Sequence, residues 1–177
     1  MTTGEFCDAI NFDRIETYSF NRGAKLASFT VAARELFQQQ RHKLLTAPAA
    51  ELPLLRGELR LLERTHEIES MSLTEGLNAF HITATPIAVI QADSSLMQQL
   101  VELLHIPVVT QSAWMCWPTY RDALAFYDEQ GSLVKVLNIC FGCDGMLSHT
   151  GKIIQADTTA YQALRTFLIQ VGHPIEA

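Results

Sequence analysis

Long apolar runs are missing from this 177-residue chain. None reaches the roughly 18 residues that a membrane-spanning helix requires, so no span is expected. The first residues, MTTGEFCDAINF, have neither a basic start nor an apolar centre, so no secretory leader is expected either. There is no Asn-x-Ser/Thr sequon, and the chain has only 4 cysteines, too few for a disulfide scaffold of this length. Together these absences point to a reducing, cytoplasmic setting.

Phosphate cradles are also missing. Neither G-x-G-x-x-G nor a P-loop occurs, which removes the sequence case for a dinucleotide or nucleoside triphosphate. HExxH, EF-hand and G-x-S-x-G patterns are absent as well, and no repeat or low-complexity segment is present. Positive charge is scarce: the net charge is −6, and no Lys or Arg lies between Arg64 and Arg121. A general nucleic-acid surface is therefore not expected, and that cation-free stretch reads as largely buried. The expected partner is a protein or a small molecule, not nucleic acid and not a membrane. A hydrophobic share of 48% with 18% charged residues is that of an ordinary globular chain, and the length suits one domain over residues 1–177.

The residues that are present are richest in pattern between Arg121 and Met146. Ala123 to Tyr127 is a short apolar and aromatic run, Asp128-Glu129-Gln130-Gly131 is a turn, and Leu133 to Phe141 is a second run. Alternation puts Leu133, Lys135, Leu137, Ile139 and Phe141 on one face of the second strand, toward the core. Val134, Val136, Asn138 and Cys140 fall on the other, so Cys140 is expected to be only partly covered. The strand runs into Cys140-Phe141-Gly142-Cys143.

Extended chain carries Cys140 and Cys143 about 10 Å apart. Pairing or sharing a ligand requires a break, which Gly142 and Asp144-Gly145 can supply. Three readings stay open. The cysteines can be small buried hydrophobes. They can hold zinc with Cys116 and His149, the other available donors being Cys7, Asp144 and His173. Or Cys140 and Cys143 can be a redox pair, although a turn follows Cys143 where a thioredoxin-like site has a helix. Arg121 can contact an anion or partner beside the cysteines, or pair with Asp122 at a strand end. Trp117 lies in the aromatic stretch Trp114 to Tyr120, which is either a lid on the core or a partner surface.

The pattern Arg121-x-Ala123-Leu124-x-Phe126-Tyr127-Asp128, a glycine turn, then Ile139-Cys140-Phe141-x-Cys143 resembles a group of uncharacterised bacterial proteins with an ICFxC ending. The resemblance covers about the last third of the chain. It implies that the cysteines matter, and it implies no activity.

The other expected elements are a strand within Asn11–Phe20, a strand over Lys25–Val31 with a helix from Arg34, and a loop at Leu45–Pro53. Leu54–Ser70 is ambiguous, since Gly57 weakens a helix there. A strand follows over Phe80–Ile90, with Pro86 entering or interrupting it. A helix capped at Asp93-Ser94-Ser95 carries Leu96, Leu100, Val101 and Leu104, with His105 at its C-terminus. Asp157 caps a last helix through Val171. The whole reads as an α+β domain: a mainly antiparallel sheet with two or more helices packed on one face.

Overall fold

The structure is a computed structural model describing residues 1–63, 72–75, 77, 79–111 and 117–176. It divides into two compact units, Met1–Phe20 with Met71–Ala177, and Asn21–Ser70.

The first unit is α+β. Its elements are α1 (Thr3–Asp8), β1 (Arg14–Ser19), β2 (Thr74–Glu75), β3 (Ala79–Phe80), β4 (Thr85–Gln91), α4 (Ser95–Leu104), β5 (Asp122–Tyr127), β6 (Leu133–Cys140), β7 (Gly145–Ser148), β8 (Ile153–Ile154) and α5 (Thr158–Gln170). Six strands form one antiparallel sheet in the order β4-β1-β5-β6-β7-β8; β2 and β3 pair separately. β5, in the interior of the sheet, is buried at every position.

Alternation sorts the side chains into two apolar layers. Ile15, Ile90, Leu124, Phe126, Leu137, Ile139 and Met146 pack with Phe6 of α1, Leu100 of α4 and Leu164 of α5. Phe126 meets Phe6 and Phe12 edge to face, with ring centroids 5.8 Å and 5.1 Å away. On the opposite face, Tyr18, Ala123, Ala125, Val136 and Cys140 pack with Phe20, Leu73 and Tyr120.

The β5–β6 hairpin forms at the expected place, with one difference. A bulge between Phe126 and Tyr127 sets Tyr127 opposite Leu133. Leu133 therefore packs with the Cys140 layer and Val134 with the helical layer, the reverse of simple alternation. Pro86 is tolerated because β4 is an edge strand and the β1–β4 register shifts at that point.

α1 was not expected, yet its start is written as Thr2-x-x-Glu5. Thr2 Oγ1 accepts from Glu5 N–H, and the Glu5 carboxylate accepts from Thr2 N–H at 2.8 Å. Ser94 caps α4, accepting from Met97 N–H. His105 closes α4, its Nδ1 2.8 Å from the Val101 carbonyl and its Nε2 2.9 Å from Asp8 Oδ1. Those two acceptors raise its pKa, as a helix C-terminus favours a cation.

The second unit contains α2 (Gly23–Thr46) and α3 (Leu52–Glu63), a helical hairpin. The expected strand over Lys25–Val31 does not form; helix begins at Gly23, because the run of Ala, Lys and Leu outweighs the few β-branched residues. Leu26, Phe29, Ala33, Phe37, Gln40 and Leu44 are the partly covered positions of α2, a stripe at three- and four-residue spacing. Leu55 and Leu59 of α3 are buried. Gly57 sits inside α3, and Pro53 falls in its first turn, where its missing N–H costs nothing. Residues 64–70 of the ambiguous segment lie outside the described residues. Among the described residues, no helix is long and apolar enough to cross a membrane.

Phe126→Ala removes a fully buried ring from two edge contacts. It is expected to lower stability by about 3–5 kcal/mol in urea denaturation. A loss below about 1 kcal/mol would place Phe126 outside the core.

Candidate functional site: the cysteine corner

β6 ends at Cys140, which pairs with Gly145 of β7 across the turn formed by residues 141–144. Asp144 occupies the left-handed region at φ 47°, where Asp is among the few non-glycine types tolerated. Cys143 is disulfide-bonded, whereas Cys140 and Cys7 are free thiols, so Cys140 and Cys143 are not joined to each other. Cys143 Sγ lies 3.9 Å from the Trp117 carbonyl oxygen. Cys116, expected in the same corner, lies outside the described residues, as does the expected lid from Trp114 to Cys116.

Cys140 is not partly covered, as alternation suggested, but buried at 4% exposure. The reason is Asn138. Its Oδ1 accepts from Leu73 N–H at 2.7 Å, and its Nδ2 donates to the Leu147 carbonyl at 3.1 Å. That polar pair holds the Leu73 segment against the sheet face expected to be mixed. Cys7 sits in the other layer with α1, and burial pushes its thiol up to about 11, helped by Asp8 and opposed by Lys135.

His149 lies beside Val136, not beside the cysteines. Val136 N–H donates to its Nδ1 at 3.4 Å, and the His149 N–H donates to the Val136 carbonyl at 3.1 Å. Four residues of strand separate Val136 from Cys140, about 13 Å. Burial, then Lys135, lowers the His149 pKa. Among the described residues, no group of three or more His, Cys, Asp or Glu side chains is placed to hold a metal ion.

Arg121 is exposed and Trp117 is exposed at 83%. Asp122 does not take Arg121 as the partner of a strand-end salt bridge. It turns inward, and His173 Nδ1 lies 2.7 Å from its Oδ1, with both side chains nearly inaccessible. His173 was legible as a donor; its partner was not, because the pair joins residues 51 apart.

A cavity of about 220 Å³ opens next to the corner, lined by Gln111, Asp144, Ile153, Ile154, Gln155, Ala156 and Tyr161. Asp157 fixes its rim. Its Oδ2 accepts from Val109 and Thr110 N–H at 2.8 and 2.7 Å, and its Oδ1 accepts from the N–H and hydroxyl of Thr159 at 2.9 and 2.7 Å. These bonds, that from Thr110 foremost, hold the carboxyl well below the usual range. The cap was expected; the tie from α5 to the 109–110 loop was not. Protein-family models, curated proteins and solved structures contain no match to this chain.

Asn138→Ala leaves the buried Leu73 N–H without its acceptor, an expected loss of about 1–3 kcal/mol. Cys140 should then react faster with a thiol reagent, and an unchanged rate would separate Asn138 from thiol burial. Asp157 has a depressed native pKa, so its contribution is present above its unfolded value near 3.9 and is lost as pH falls through the native value. Melting temperatures measured from about pH 5 down to pH 2 should fall less steeply in Asp157→Asn than in the parent.

Proposed function

We propose that the chain is a non-enzymatic binding domain whose cysteine corner is structural. The carrying observation is the unequal state of the cysteines. Cys143 is covalently engaged, and the free thiols at Cys140 and Cys7 are buried. A buried thiol is out of reach of a reaction partner, and reactive cysteines generally sit in electropositive, partly exposed surroundings. Asp144, in the same turn as Cys143, lines the cavity. Exposed apolar side chains belong to the same neighbourhood: Trp117 next to Cys143, Ile153 on the cavity wall, and Val109 at 86% exposure on the loop tied by Asp157. An exposed tryptophan with aliphatic neighbours beside a concave site is the composition of a contact surface for a protein or small molecule. The ICFxC resemblance agrees with a role for the corner and adds no activity.

A second reading, a thiol redox protein or sensor, is favoured by one observation. A free thiol at Cys140 lies three residues from the disulfide sulfur of Cys143, within one turn. A zinc-holding corner would need Cys143 reduced and donors outside the described residues.

Intact mass without reductant, with a count of titratable thiols, separates the three. The binding-domain reading expects a mass two hydrogens short and two slow thiols, with peptide mapping naming the partner of Cys143. One fast thiol, or a disulfide that migrates to Cys140, would replace it with the redox reading. A zinc mass lost on denaturation would replace it with the metal reading.

A further inference from the structure

We propose that a face of α2 built from none of the corner's residues docks an acidic amphipathic helix of a partner protein. α2 runs for 24 residues, about 36 Å, and none of its residues is buried. A helix of that length that buries nothing leaves surface for something beyond its own chain. Beside the partly covered stripe from Leu26 to Leu44 runs a second one. It consists of Ala27, Val31, Arg34, Gln38, Arg41 and Leu45, and it is exposed at every position. Its steps of four, three, four, three and four residues are the repeat by which one helix packs along another.

The side chains of that stripe select the occupant. Val31 at 54% exposure and Leu45 at 80% are aliphatic contacts left in water. Arg34 and Arg41 lie between them, seven residues or about 10.5 Å apart. Neither has an acid three or four residues away along α2, where a helix pairs its own charges. Across α2, Lys25, Arg34, Arg41 and Lys43 stand against a single acid, Glu35, which lies off the stripe. Pairing the stripe with that of a second copy would bring four arginines into one seam without a carboxylate. A nucleic acid needs cations all along its contact, and this chain has 19 acids to 13 cations. An anionic membrane needs a broad apolar face, which two aliphatic residues about 21 Å apart do not make. A protein helix with carboxylates opposite Arg34 and Arg41, and small or aliphatic residues opposite Ala27, Val31 and Leu45, meets every position. Arginine also pairs with a carboxylate through two parallel bonds and is enriched where interfaces bind tightest.

The test uses a labelled helical peptide of three heptads with leucine at one seam position of each heptad and glutamate at the other. A control peptide has lysine in place of glutamate. The full chain is titrated into each and fluorescence anisotropy is read. The glutamate peptide is expected to bind, at least tenfold more weakly at high than at low salt, and the lysine peptide is not. The double variant Arg34→Glu/Arg41→Glu is expected to lose the glutamate peptide and gain the lysine peptide, a reversal that unfolding cannot produce. Val31→Ala with Leu45→Ala is expected to weaken the glutamate peptide severalfold. Far-ultraviolet circular dichroism checks that both variants keep the parent helix content. No binding of the glutamate peptide, or undiminished binding by the double variant, overturns the proposal. Tighter binding of heparin or of phosphatidylserine vesicles than of the peptide overturns it in favour of a polyanion or a membrane. Self-association in sedimentation that the double variant abolishes overturns it in favour of a second copy. Fast thiols in the previous assay would change the reading of the corner and leave the outcome at α2 untouched.

Discussion

Much of the first unit hangs on one buried side-chain amide. Asn138 lies in the sheet face opposite the helices, where a polar group without partners would be costly. It is fully buried and bonded at both ends, to Leu73 N–H on one side and the Leu147 carbonyl on the other. The first bond brings a distant segment down onto the sheet. The second ties the same side chain to the neighbouring strand. With Leu73 in place, the face that would have been half wet becomes a second apolar layer, and β5 has no side open to water. The state of Cys140 follows from that sealing.

The polar groups left inside are dealt with individually. Asp122 faces the helical layer, and His173 reaches it from just beyond α5. Asp157 gathers four donors at the start of the same helix. α5 is thus held to the fold by a carboxylate before its first turn and a histidine after its last. Between these anchors Tyr161 lines the cavity.

The parts of this architecture legible in the chain were those set by local rules. The Tyr127–Leu133 hairpin, the caps at Ser94 and Asp157, and the antiparallel sheet with helices on one side follow from periodicity, turn residues and capping chemistry. Thr2-x-x-Glu5, the capping box of α1, is equally local. Three features were out of reach for a common reason: Leu73 with Asn138, Asp122 with His173, and Asp157 with Val109 each join residues tens of positions apart. The site was read only in part. The turn at Cys140–Cys143 could be located by spacing, but spacing cannot say which cysteine is bonded or that His149 lies four residues down the ladder. The strand expected at Lys25–Val31 failed because two local signals competed there and helix propensity won.

The bulge at Phe126/Tyr127 has a consequence for how the turn can vary. Because the strands already slip there, the exchange of Leu133 and Val134 between layers is confined to the end of the hairpin, and Val136, Asn138 and Cys140 keep their register beyond it. The bulge works as a clutch. The Asp128–Ser132 connection can drift in length and composition without transmitting that drift to the corner, which frees one end of the hairpin for sequence change while the other stays fixed.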